Sequence, residues 1–211
     1  MFKDRTEAGK RLAQKVKEEL STQLLAEGIV LSIPRGGVVI GGEISQSLNL
    51  PLDCLITKKI PCPENEELAI GAVAEGGVVV WEEELCQRLG VSPSYKQEIV
   101  KKKVLELEKK QRDFKCGRPP LQLKDKVAII ADDGVATGST IKAAIAVVSN
   151  FDPKEIIVAV PVIAQDSLEE IKKLADKVIY LEAPEMFFSV GQFYENFEQL
   201  SDEQVINILK K

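Results

Sequence analysis

A chain of 211 residues, 45% hydrophobic and 29% charged, has the balance of one folded domain of ordinary size, or of a core domain carrying an insertion. Its net charge of −5 argues against nucleic-acid binding by bulk electrostatics, and no apolar run approaches the roughly 20 residues that cross a bilayer. Four cysteines without CxxC spacing and the absence of histidine exclude a Cys/His zinc site and all imidazole catalysis, leaving chemistry to carboxylates, amides, Lys, Arg and a bound hard metal.

The charged N-terminus, MFKDRTEAGKRL, is not a signal peptide, and free thiols suit a reducing cytoplasm. Residues 4–26 carry an apolar stripe (Ala8, Leu12, Val16, Leu20, Leu24) that predicts one helix ended by Gly28. A short strand, 29–33, runs into Pro34-Arg35-Gly36-Gly37, followed by a helix over 38–48 that packs closely through Gly41 and Gly42. A second strand, 52–57, ends in Lys58-Lys59. Residues 60–78 lack strong periodicity and read as loop, with a hairpin around the Gly-Gly of AIGAVAEGGVVV. Helices are predicted over 82–89 and 93–115, the second solvated along one face through Lys101–Lys103 and broken by Arg118-Pro119-Pro120.

A strand (127–131), helix (139–149), strand (156–161), helix (167–174) and strand (177–181) follow. A last helix, 202–210, begins behind Ser201 with Gln204 completing a capping box. Val/Ile-rich strands alternating with helices predict an α/β fold whose parallel sheet is covered on both faces, in one domain over 1–211 with an insertion at about 60–120. Ligands of such sheets sit beyond the carboxyl ends of the strands, where the loops 34–37, 58–60 and 132–140 fall.

The most informative run is AIIADDGVATGST, Ala128 to Thr140. A buried strand delivers two adjacent carboxylates, Asp132 and Asp133, and a loop of small residues then opens a helix with hydroxyls. The pattern puts anionic ligands for hydroxyls or a metal beside a nest of N–H groups suited to phosphate. The same residues also suit a plain turn and helix cap, but two acids at a strand end repel, and something cationic or hydrogen-bonding usually offsets that. No lysine precedes Ser139-Thr140 as a P-loop requires, no GxGxxG follows a strand, and a receiver domain's later phosphate-accepting Asp is missing. In Pro34–Gly37 the paired glycines let amides approach an anion and Arg35 adds a planar charged donor; a glycine turn with a surface arginine is the plainer alternative. The Lys58-Lys59 pair by itself fits a solvated loop equally well.

DDGVATGST resembles the signature of the type I phosphoribosyltransferases, and the Arg-Gly-Gly loop is similar to their pyrophosphate loop. The resemblance covers nearly the whole chain. It is strongest to a bacterial and archaeal group with an early RxxAG-x-x-LA segment (Arg5–Ala13), PRGG (Pro34–Gly37), an ELAIGAVA-like segment (Glu67–Ala74) and FF-x-VG-x-(F/W)YE (Phe187–Glu195).

The resemblance implies a Mg²⁺-dependent transferase using 5-phosphoribosyl 1-diphosphate, the metal carried by that donor. Asp132 and Asp133 would bind the ribose hydroxyls and, with Glu195, face the metal. Val135, Ala136, Thr137, Gly138, Ser139 and Thr140 would hold the 5′-phosphate. Arg35, Gly36, Gly37 and Lys58 would hold the diphosphate, in a loop that often has a non-proline cis peptide. A lid within 60–78, with Glu66 and Glu67, would exclude water. Phe187 or Phe188 would stack on a purine-like acceptor, although these aromatics suit core closure equally well.

Purine enzymes of the family usually place an Asp where Ala136 stands and a Lys where this chain reads Val160-Pro161-Val162, so neither the base nor the acceptor is named. The expected partners are small molecules, not nucleic acid or membrane, and a homodimer is compatible with all of this. The alternative function is a non-catalytic regulator of nucleotide metabolism that senses the same ligand. Asp133→Asn is expected to weaken ligand binding and leave the fold intact.

Overall fold

Strands whose residues are apolar without alternation need helices on both faces. In the computed structural model, which describes residues 1–74, 77–115 and 121–210, they have them. In chain order the elements are α1 (Arg5–Glu19), α2 (Thr22–Ala26), β1 (Gly28–Ser32), α3 (Gly37–Leu48), β2 (Leu52–Cys54), β3 (Thr57–Cys62), β4 (Asn65–Ala74), β5 (Val79–Trp81), α4 (Glu83–Arg88), α5 (Pro93–Lys115), β6 (Val127–Ala131), α6 (Ser139–Ser149), β7 (Glu155–Val162), α7 (Gln165–Ile171), β8 (Lys177–Glu182) and α8 (Asp202–Leu209).

A five-stranded parallel sheet has the order β2-β1-β6-β7-β8. Alternation along β6 divides the core: Ala128 and Ile130 join Ile141, Ala144 and Ile145 of α6, whereas Val127, Ile129 and Ala131 join Leu12 and Val16 of α1 and Ile40 and Ile44 of α3. The fold is α/β, a parallel sheet flanked by helices. Chain order reverses between β1 and β6, so the crevice beyond their carboxyl ends is the switch point where ligands of open parallel sheets bind.

The expected helix over 4–26 is two helices. Leu20 adopts an extended conformation and Ser21 caps α2 by accepting from the Leu24 N–H, so the apolar stripe continues across a break; Gly28 is the first residue of β1. The expected strand 52–57 is likewise two. β2 ends at Cys54 in the parallel sheet, and β3 starts at Thr57 in a separate antiparallel sheet of order β3-β4-β5. Lys58 and Lys59 therefore lie inside a strand and not in a loop. Most of 60–78 is strand as well, with β4 and β5 antiparallel as the hairpin reading expects. The expected lid loop is thus largely sheet. Its pattern misleads because Ile60, Ile70 and Val73 are buried in a core shared with α5, which follows in the chain.

This sheet, α4 and α5 run between β2 and β6 and share a core in which Ile99, Leu107 and Phe114 of α5 meet Val205 and Leu209 of α8. The α8 capping box is present: the Ser201 hydroxyl accepts from the Gln204 N–H, and the Gln204 side chain accepts from the Ser201 N–H. Cys116, the Arg118-Pro119-Pro120 breaker and Gly76 of the Gly-Gly turn lie outside the described residues, as do the side chains of Glu66 and Glu67. Among the described residues no helix is long and apolar enough to cross a membrane.

Candidate functional site

Two loops meet at the switch point. After β1, the peptide between Pro34 and Arg35 is cis. The backbone then passes so close to β6 that a Cβ on Gly36 would fall 1.8 Å from Asp133 Oδ2, which only glycine permits. Arg35 turns away from the acids: its Nε lies 3.0 Å from Asp202 Oδ1 and its Nη1 donates to the Leu200 carbonyl at 3.1 Å.

After β6 come the paired acids. Asp132 Oδ1 accepts from the Asp133 N–H at 2.9 Å. Burial, then the neighbouring Asp133 charge, pushes the Asp132 carboxyl well above its usual range. Asp133 is also raised by burial, against the pull of Arg5, whose Nε donates to Asp133 Oδ2 at 2.7 Å. Arg5 is further fixed by the Glu198 carbonyl at 2.8 Å and by the Phe197 ring, 3.8 Å below the guanidinium. The Tyr194 hydroxyl donates to the Asp133 carbonyl at 2.6 Å, and its buried phenol is raised far above its ordinary value. Arg5 is the site residue that sequence reasoning missed as a functional group. The repulsion between the acids calls for a cation, but its source 128 positions away is a tertiary fact.

The loop that follows is braced from behind. The Val135 N–H donates to the Val162 carbonyl at 2.9 Å, so Val135 lines the crevice without offering its own amide. Ser167 Oγ donates to the Ala136 carbonyl at 2.6 Å, and Gly138 takes φ 71° to open α6. Among the described residues, no acceptor faces the N–H groups of Ala136 through Thr140. Thr137 and Ser139 hydroxyls are 3.2 Å apart. The result is a pocket of about 210 Å³ lined by Lys59, Asp132, the 134–141 run and Val190.

Adjacent residues in a strand point to opposite faces, and this separates the two lysines. Lys59 Nζ donates to Ser139 Oγ at the mouth of that pocket. Lys58 instead reaches Glu106 on α5 at 3.4 Å. Burial pushes Glu106 upward, but Lys103 and Lys58 outweigh it and hold the carboxyl below its usual range. Lys110, further along α5, is depressed by burial and then by the charges of Lys58 and Arg35, which marks a basic group around Arg35.

The aromatic segment divides. Phe187 packs on Phe193 at 4.9 Å and both lie with Tyr194 against the core, whereas Phe188 is 81% exposed. Val190 fills the space a Gly134 side chain would take. The Glu195 N–H binds the Phe2 carbonyl, and among the described residues no third carboxylate joins Asp132 and Asp133 as a metal cluster. The structure thus brings together Asp132, Asp133, Gly36, Gly37 and the 135–140 loop, and adds Arg5 and Lys59.

The chain belongs to the phosphoribosyl transferase domain family, whose profile matches residues 3–198. It is 36% identical over all 211 residues to the Mycobacterium tuberculosis protein "Putative phosphoribosyl transferase Rv0571c", and it spans 47% of that relative's length. The solved structure of TT1426 from Thermus thermophilus is 34% identical, with a TM-score of 0.88 over 99% of this chain and 97% of that one. The AQ2163 protein of Aquifex aeolicus shares the fold at 15% identity, TM-score 0.51, over 85% of this chain and 74% of that one.

Proposed function

We propose that the crevice binds 5-phosphoribosyl 1-diphosphate with Mg²⁺, and that the protein transfers the phosphoribosyl group to a small nucleophile, a purine-like base being the leading class. The observation that carries this is the adjacency of a part-buried acid pair to a loop whose amides face no acceptor among the described residues, at the β1/β6 switch point. Asp132 and Asp133 accept hydrogen bonds from the ribose hydroxyls, and the amides of 136–140 take the 5′-phosphate at the start of α6. The diphosphate lies toward Gly36, Gly37 and the basic group of Arg35, Lys58 and Lys110. The donor set suits an ion that arrives with the substrate, since Mg²⁺ keeps several waters and needs only one or two carboxylates besides phosphate oxygens. We read the chain as one domain with the second sheet and α5 inserted.

In the reaction the C1–O bond to diphosphate breaks, the electron pair leaving with diphosphate, and a bond from C1 to the nucleophile forms, the nucleophile's proton passing to solvent water. Positive charge grows on the ribose ring and negative charge on the departing diphosphate. Arg35 and the neighbouring lysines stabilise that negative charge electrostatically. The exposed ring of Phe188 is the candidate surface for a planar acceptor. A sensor that binds without turnover is the second reading. It is favoured by the ion pair that already occupies Arg35 and by Ala136, where no base stands.

The test is incubation with Mg²⁺, phosphoribosyl diphosphate and a panel of bases while diphosphate release is followed. Base-dependent release supports the transferase, and tight binding without release from any base supports the sensor. Absence of binding rejects both.

A further inference from the structure

We infer that Lys59, from the inserted sheet, is the cationic ligand of the phosphomonoester end of the substrate, and so couples that sheet to occupancy of the 136–140 loop. The inference rests on the functional reading above and assigns a residue that the sequence leaves as half of a solvated pair.

Three observations carry it. Strand alternation turns Lys58 toward α5 and Lys59 toward the start of α6, where its ammonium donates to Ser139 Oγ, a residue 80 positions away. Lys59 is also the one cation lining that pocket among the described residues. Finally, the strand beneath Lys59 is anchored. Its register partner is Ala72, and the next residue, Ile60, is fully buried.

The charge balance gives Lys59 its task. A phosphomonoester carries about −1.5 to −2 near neutral pH, and a helix N-terminus offers only about +0.5. The rest of the lining, Asp132 included, supplies no positive charge. An ammonium has three donors, so Lys59 can keep or exchange its hydroxyl bond while meeting phosphate oxygens. Without it the amide loop faces an anion with too little positive charge beside a carboxylate.

The experiment is calorimetric titration of the intact protein, Lys59→Gln and Lys59→Arg with two probes, ribose 5-phosphate and inorganic diphosphate. Lys59→Gln is expected to weaken ribose 5-phosphate by about tenfold to hundredfold and diphosphate by less than about twofold, with Lys59→Arg recovering most of the loss. Unchanged ribose 5-phosphate affinity in Lys59→Gln, or an equal loss for both probes, overturns the inference and leaves the crevice reading standing. Failure of the unmodified protein to bind ribose 5-phosphate overturns both.

Discussion

Positive charge reaches the crevice from two regions, and each holds it differently. The parallel-sheet region supplies arginines that are already clasped: Arg5 by Asp133, a backbone carbonyl and an aromatic face, Arg35 by Asp202 and the Leu200 carbonyl. The inserted sheet supplies lysines on flexible stems, Lys59 against a hydroxyl and Lys58 against a part-exposed carboxylate. A guanidinium with a fixed fork positions whatever it binds, while an ammonium exchanges one partner for another at little cost. The arginines build the crevice, and the lysines are suited to answer what enters it.

The strongest way to break this contrast is Arg5→Met. The Arg5 and Asp133 side chains are only 11% and 15% exposed, so removing the cation strands a part-buried acid pair, at about 3 kcal/mol. Both acids already have raised values in the folded state, and losing Arg5 raises them further. The folded protein then holds more protons than the unfolded chain above the ordinary carboxylate range, so stability falls as pH rises. Urea unfolding should therefore show a larger loss at pH 8 than at pH 5. Equal losses would mean that Arg5 matters for its packing on Phe197 and not for its charge.

Arg35→Ala tests the other clasped cation. Losing charge-assisted hydrogen bonds to diphosphate should cost about 1.5–3 kcal/mol of diphosphate affinity, read by competition, with ribose 5-phosphate little changed. Arg35 is paired with an exposed Asp202, so stability should move by less than about 1 kcal/mol. A loss shared equally between the two ligands would remove the distinction between the diphosphate and phosphate ends.

What the sequence makes legible follows the range of the interactions involved. The strand-end acids, the glycine loop and the helix start at 139 are local, and their order along the chain almost dictates their proximity. The parallel sheet is legible for the same reason, because period and composition repeat with each strand. The break at Leu55-Ile56 is not, since apolar residues run through both strands and only the choice of sheet separates them. That one error turns a strand into a loop and makes Lys58 and Lys59 interchangeable, when alternation gives them opposite faces. Arg5 was hidden because its partner lies 128 positions away.

The Arg5 pair also corrects the expected behaviour of Asp133→Asn. That substitution takes the charge from the partner of a part-buried guanidinium, so it should cost stability as well as affinity and is a poor probe of binding alone. Asp132→Asn is the cleaner one, because an amide oxygen still accepts from the Asp133 N–H. The Asp132 carboxyl is raised well above its usual range, so its ionised form opposes folding at neutral pH. The variant should melt above the unmodified protein at pH 7, with the gap closing as pH falls toward about 4, and should bind ribose 5-phosphate more weakly. A lower melting temperature at pH 7 would show that the ionised acid is stabilised by contacts beyond Arg5.

Lys58→Gln sharpens the contrast at its weakest point. The variant loses a pair with Glu106 whose side chains are 28% and 34% exposed, so the stability change should stay below about 1 kcal/mol. Ribose 5-phosphate binding should be unaffected, since Lys58 faces α5 and Lys59 faces α6. The sensitive readout is Lys110, depressed by burial first and by Lys58 and Arg35 next. With one repelling charge gone, its ammonium should titrate closer to the ordinary lysine value, followed by NMR of the side-chain carbon beside the amine. An unmoved Lys110 would mean that burial alone sets it, and Arg35 would then lack the basic group assigned to it at the diphosphate end.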